Sequence, residues 1–215
     1  MAKKKNWTEA ELVLTFGLQR IVEYATPLMQ EWLATPVLVL SDYEQVSFDN
    51  LYQRSLQKIS TWSEEDLKMK FISFLLELGQ LTDFDRFVTF FDKKISAKVG
   101  DIQLSVKSDF MVATGFMNLF KNPYFHFQEY KPTINPAGEP MAQLLEAFLI
   151  AKELNKNDKP LYGCEVIGAI WRFVIMEDKN YCISKSFDCT DREDLLKIIA
   201  ILRKFREILI HKLAV

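Results

Sequence analysis

The chain has 215 residues, 49% of them hydrophobic, and a formal net charge of −2. That length and apolar content suit one globular domain or a domain with an added lobe. The charge argues against a global positive field of the kind that coats nucleic acid, but leaves room for basic residues gathered in one cleft. Cys164, Cys182 and Cys189 are an odd number without paired-ligand spacing, which points to buried reduced thiols rather than zinc. The start, MAKKKNWTEAELVLTFG, has no sustained apolar run, and FISFLL and WRFVIM are too short to span a bilayer. A cytoplasmic chain with no membrane partner is expected.

Three helix starts carry a capping-box pattern, Thr8–Glu11, Ser63–Asp66 and Thr190–Glu193. The first predicts a helix over 8–33, bending at Pro27, and a second helical stretch follows over 48–59. The third helix, 63–79, stops at Gly79; it is apolar on two sides, with Met69, Ile72 and Leu76 opposite Leu67, Phe71, Phe74, Leu75 and Leu78, as in a helix buried between layers. From Ile95 the period changes to alternation, with a turn signal at Gly100–Asp101 and a further strand, YFHFQEYK, ended by Pro132. MAQLLEAFLIAKELN reads as a helix, LYGCEVIGAIWRFVIME and NYCISKSFD as a strand pair joined at 177–180, and 191–213 as a last helix. The order suggests an α/β fold, a sheet core over 61–215 preceded by a helical extension over 1–60.

Inside YFHFQEYKP, alternation puts Phe125, Phe127, Glu129 and Lys131 on one face, with His126, Gln128 and Tyr130 on the other. An acid-x-Lys match is weak by itself. The chain has four, Asp66–Lys68, Asp92–Lys94, Glu129–Lys131 and Glu177–Lys179, placed in a helix start, the end of a helix-like stretch, an apolar strand and a polar turn. Only the third sits where charges are costly unless paired or metal-bound. Asp109, in VKSDFMVATG, is another acid interrupting a strand, twenty residues upstream of Glu129. Adjacent strands about 5 Å apart would bring the two carboxylates side by side. Such a pair repels itself unless a cation intervenes, and hard oxygen donors favour Mg²⁺ or Mn²⁺. Lys131, about 7 Å further along the face, would orient a water or a phosphate oxygen for in-line attack on a phosphodiester.

Ser108-Asp109 followed by Glu129-Tyr130-Lys131, in a helix–meander–helix–strand frame, resembles the PD-(D/E)XK nuclease superfamily over residues 61–205. SEEDLKMKFISFLLELG is similar to the first core helix of the nuclease domain in type I restriction motor subunits, where an acid precedes an Ile-x-x-x-Leu pattern by eight residues; here that acid is Glu64, ahead of Ile72 and Leu76. The resemblance implies a restriction-endonuclease-like mixed sheet flanked by helices, and a Mg²⁺-dependent nuclease, with Mn²⁺ as a substitute, acting on DNA in restriction or defence. It implies Asp109, Glu129 and the Tyr130 backbone carbonyl as metal ligands, Glu64 as support for that site, Lys131 as the charge-stabilising lysine, and Gln143 as a residue facing the site. A homodimer, or a protein partner on the N-terminal helices, would also fit. Two positions depart from the pattern: Ser108 replaces the usual Pro, and Ala147 stands where RecB-like members carry Tyr.

Each candidate has a plainer reading. Glu64 could simply meet the helix dipole, with Glu65 as rival for the site. Asp109 could open a turn, Glu129 and Lys131 could be an exposed cross-strand pair, and Gln143 could be an ordinary helix residue. His126 and His211 receive no role, and Lys3, Lys4 and Lys5 read as a solvated tail that could graze phosphate. The alternative function is a catalytically inactive nuclease-fold protein serving as a protein–protein interaction module.

Overall fold

In the computed structural model, which describes residues 6–22, 26–117, 119–134 and 138–213, a mixed sheet of eight strands carries helices on both faces. The lysines at 3–5 lie outside the described residues. Chain order is α1 (Glu9–Phe16), β1 (Gln19–Ile21), α2 (Pro27–Leu33), α3 (Asp42–Lys58), α4 (Glu64–Leu67), a π-helical turn (Lys68–Ile72) and α5 (Ser73–Leu78). It continues with β2 (Phe87–Val99), β3 (Ile102–Phe116), β4 (Leu119–Lys131), α6 (Pro140–Asn155), β5 (Leu161–Ile167), β6 (Ile170–Glu177), β7 (Asn180–Ile183), β8 (Phe187–Asp188) and α7 (Arg192–Ile208), and closes with a second π-helical turn (Leu209–Leu213).

The sheet runs β1-β7-β6-β5-β4-β3-β2, with β8 also on β6. Among the described strand pairs, β1/β7 and β4/β5 are parallel and the rest antiparallel. Parallel neighbours need a crossover, and α6 supplies it between β4 and β5. Its close approach depends on Gly163: a Cβ there would stand 2.6 Å from the Phe127 carbonyl and 2.9 Å from Leu144 and Phe148. The α6 face buries Met111, Phe127, Leu144, Phe148 and Val174. The opposite face buries Phe110, Tyr130, Tyr162, Trp171 and Phe173 under α2, α5 and α7. There Trp32 donates its indole N–H to the Ile201 carbonyl (3.0 Å) and meets Tyr162 and Phe173 edge-on. No described helix is long and apolar enough to cross a membrane.

Several expectations need correction. The helix expected over 8–33 is two helices: Gly17 ends α1 in the left-handed conformation, where glycine has no Cβ to clash, and Gln19–Ile21 pair with β7. The helix expected over 48–59 begins at Asp42, because Ser41 and Glu44 form a full capping box. Glu44 also receives Arg203 of α7 (2.7 Å), so one carboxylate caps α3 and ties it to the last helix. Ser41→Ala is expected to cost about 1 kcal/mol, read as a lower urea midpoint with unchanged slope.

The N-cap of α7 is Asp191, which accepts from the Glu193 and Asp194 amides, whereas Thr190 is bound to Asp188. Helix 64–78 is not buried on both sides, since Met69 and Phe74 are exposed; the π turn shifts its phase and gathers Leu67, Phe71, Ile72, Leu75 and Leu76 onto one side. Strand β2 begins at Phe87, eight residues before the expected change of period. The segment 161–177 is itself a hairpin, turning at Gly168 with φ +55°. Finally, β4 is irregular against β3 at two places, Val112/Ala113 and Ala113/Thr114. The first inserts one residue between His126 and Tyr124 and sends Phe125 to the α7 face, against Phe87, while Phe127 stays on the α6 face.

Candidate active site

The β3/β4 ladder brings Asp109 and Glu129 to one level, one step beyond the Phe110–Gln128 pair. The row extends in both directions. Asp92 is level with Asp109, between the Phe91–Phe110 and Lys93–Ser108 pairs, and Glu165 is the β5 partner of Glu129. Four carboxylates therefore lie side by side on four adjacent strands, ending at Arg172, the β6 partner of Glu165 and its ion pair. Lateral neighbours in a sheet are about 5 Å apart, so such a row stands only if cations or protons separate its members.

For Asp109 the separation is visible. One oxygen (Oδ2) accepts the Tyr130 amide at 2.8 Å, and the other (Oδ1) accepts Lys68 Nζ at 2.7 Å. Lys68, one turn after Glu64, also reaches Glu64 Oε1 (3.0 Å) and Asp92 Oδ1 (3.2 Å). Asp92 in turn receives Lys107 (2.9 Å). The second oxygen of Glu64 meets Lys131 Nζ at 3.3 Å. Three lysines and three carboxylates thus form one chain, Lys131–Glu64–Lys68–Asp109/Asp92–Lys107. Burial pulls the Lys68 ammonium toward neutrality, but its hydrogen bond to Asp109 and the charges of Asp109 and Glu64 outweigh this and hold it above its ordinary value. Burial also works to raise Glu64 and Asp92, and the lysines around them win, leaving both below the usual carboxylate range.

Glu129 is different. It is fully buried, and neither carboxylate oxygen has a hydrogen-bond partner. The neighbouring Ser108 hydroxyl donates to the Phe110 carbonyl (2.9 Å), yet stands near enough to Glu129 to favour its ionised form. Burial first, and the Asp109 charge second, push its carboxyl well above the usual range against the opposing pull of Lys131, Ser108 and Lys68. An orphaned buried carboxylate costs several kcal/mol of lost hydration, and it is the most unfavourable polar group of the row.

Of the candidates, the structure brings together Asp109, Glu129, Lys131 and Glu64. Lys131 is buried, at the last position of β4. Glu65, the rival of Glu64, is exposed. Gln143 is half-buried, and its side-chain oxygen faces the Gly138 turn; no hydrogen bond joins it to Asp109, Glu129 or Lys131. His126 lies on the opposite face in a buried polar run, with its Nε2 2.9 Å from Gln128, whose oxygen accepts the Tyr130 hydroxyl. Burial lowers His126 to about 3, so it stays neutral. His211 is exposed at the C-terminal turn. The three cysteines are buried, and none forms a disulfide.

The sequence pattern alone does not select Lys68, Asp92 or Lys107. Two of them sit in acid-x-Lys matches outside the apolar strand, Asp66–Lys68 and Asp92–Lys94. The signal for Lys68 is its helical spacing from Glu64, four apart and so on one face.

A divalent ion fits what Glu129 lacks. Asp109 and Glu129 offer hard oxygens at one level, and a cation beside Glu129 would satisfy its orphaned atoms. Among the described residues no group of three or more His, Cys, Asp or Glu is arranged to hold an ion as it stands. The shell would be completed by water, as Mg²⁺ commonly requires, and by the Tyr130 carbonyl. No protein-family model matches this sequence, and no curated protein does.

Proposed function

We propose that this protein is a Mg²⁺-dependent nuclease of restriction-endonuclease-like fold, hydrolysing phosphodiester bonds of DNA in a restriction or defence setting. The observation that carries the reading is the buried Glu129 carboxylate, without a partner for either oxygen and level with Asp109. Buried groups with strongly perturbed proton affinity beside specific charge partners cluster at functional sites.

In this reading Asp109 and Glu129 hold the ion, and the Tyr130 amide fixes the Asp109 carboxylate in place. The ion supplies Lewis-acid polarisation of the scissile phosphate. Lys131 is held on Glu64 (3.3 Å) with its stem buried along β4, so its ammonium is aimed before substrate arrives. It orients the attacking water and stabilises charge developing on the phosphate oxygens. Glu64 is a positioning residue that acts through Lys131.

Incubating the purified protein with single- and double-stranded DNA and RNA tests this directly. Cleavage of DNA in Mn²⁺ or Mg²⁺, abolished by chelator, is the expected result. No cleavage of any substrate, together with no rise in thermal midpoint on adding divalent ions, would sink the nuclease reading.

A second reading, a catalytically inactive nuclease-fold protein acting as an interaction module, is favoured by a different observation. Val37, Val39, Tyr43 and Val46 are exposed in and before α3, at 90, 81, 75 and 62%. Exposed apolar side chains grouped within one segment are a common feature of protein-binding surfaces.

A further inference from the structure

Lys68 has no part in the steps above, yet its surroundings are those of a bound ion rather than of an ordinary helix lysine. Its side chain is only 11% exposed. Its three N–H donors face three carboxylates from three elements: Glu64 on the same helix (3.0 Å), Asp92 on β2 (3.2 Å) and Asp109 on β3 (2.7 Å). Asp92 is held at φ +55° in the middle of a strand, in the left-handed region that non-glycine residues seldom occupy and Asp tolerates better than most. That local departure accompanies a carboxylate that meets both Lys68 and Lys107.

We infer that Lys68 is a built-in cation: its ammonium fills the Glu64–Asp92–Asp109 corner that would otherwise take a second divalent ion, so that the site binds one ion, at Asp109 and Glu129. The inference rests on the proposed nuclease reading for that first ion and deepens it. Two-ion phosphodiesterase sites place their ions about 3.5–4 Å apart, and a carboxylate between them can serve both. Asp109 is so placed here: Oδ1 holds the ammonium, and the residue stands between Asp92 and Glu129 in the row. A tethered ammonium balances part of the charge of three carboxylates, never dissociates, and repels a second divalent ion from its corner. It leaves the ion at Glu129 as the exchangeable one. Lys68 is therefore a positioning residue acting through Asp109. Its bonds are longer than the about 2.1 Å of Mg²⁺–oxygen contacts, but Glu64 and Asp92 are 36 and 46% exposed and have room to close on an ion once the lysine is gone.

The test is Mn²⁺ stoichiometry on the full chain, by titration calorimetry and by the spin-resonance signal of free Mn²⁺, with no substrate present. Lys68→Met keeps most of the stem and removes the charge; Lys68→Gln serves if Met does not fold, and thermal melts identify the folded variant. The expected result is one Mn²⁺ per wild-type chain, two per Lys68→Met chain, and one for Lys68→Arg, which keeps the charge. Two ions on the wild-type chain would overturn the inference. So would one ion on both wild type and Lys68→Met, an outcome that leaves the first ion and the nuclease reading standing. No Mn²⁺ on any of these proteins would overturn the inference together with the metal site itself.

Discussion

Lys131→Ala is expected to lower divalent-dependent cleavage by about 10²- to 10³-fold, the range found when one preorganised charge-stabilising donor is removed. The lysine side chain is 8% exposed and bonded to Glu64, so its ammonium reaches the transition state without reorganising. Its loss leaves Glu64 without Lys131, but Glu64 is 36% exposed and keeps Lys68. The lost ion pair costs about 1 kcal/mol or less at that exposure of Glu64, and the truncated stem of the buried Lys131 adds a packing loss of about 1–2 kcal/mol. A variant that still melts cooperatively, beside a collapsed rate, separates a chemical role from a structural one. Lys131→Arg should restore only part of the rate, because a planar guanidinium does not reproduce a compact point charge. Lys94, the exposed lysine of another acid-x-Lys match, is the matched control, and Lys94→Ala should cleave as the wild type does. Equal rates for wild type and Lys131→Ala would show that the observed cleavage does not come from this site.

The β-meander was legible because its signals are local. Gly100 and Asp101 make the β2/β3 turn, Pro132 follows the end of β4, and the apolar context of Glu129–Lys131 separated it from the other matches. What failed depended on contacts between distant segments. Gln19–Ile21 become a strand only because β7 offers an edge, and no pattern within 8–33 reports that. The bulge that parts Phe125 from Phe127 is a property of the β3/β4 pair, not of β4.

The same limit holds for the site. Asp109 and Glu129 are legible because two adjacent strands suffice to relate them. Lys68 and Asp92 are not legible within their own segments, where Lys68 reads as part of a helix start and Asp92 as the end of a helix-like stretch. Asp92 is in fact a left-handed residue within a long strand, where strand propensity is weakest, so the local pattern broke at the position the site uses.

Glu129→Gln should change stability in opposite directions with and without divalent ions. The folded-state pKa of Glu129 is raised above its ordinary value of about 4.5. The folded protein therefore holds this proton more tightly than the unfolded chain, and without metal the group's contribution to stability falls as pH rises from about 4.5 upward. Gln has nearly the same shape, no charge to desolvate, and an NH₂ group that can donate to Asp109. Asp109, Lys131 and Lys68 remain in both proteins, so the difference between their pH profiles isolates Glu129. Without metal, the variant should be more stable by about 1–3 kcal/mol at pH 8, a rise of several degrees for a chain of this size, and the gap should close toward pH 4.5. With Mn²⁺ the order should reverse. The ion binds the ionised carboxylate and competes with its proton, so wild-type stability gains with both Mn²⁺ concentration and pH, whereas Glu129→Gln gains little from either. A buried glutamate retained only for packing would give the metal-free half of this result without the reversal. A variant whose thermal midpoint responds to Mn²⁺ as the wild type does would remove Glu129 from the ion's ligands.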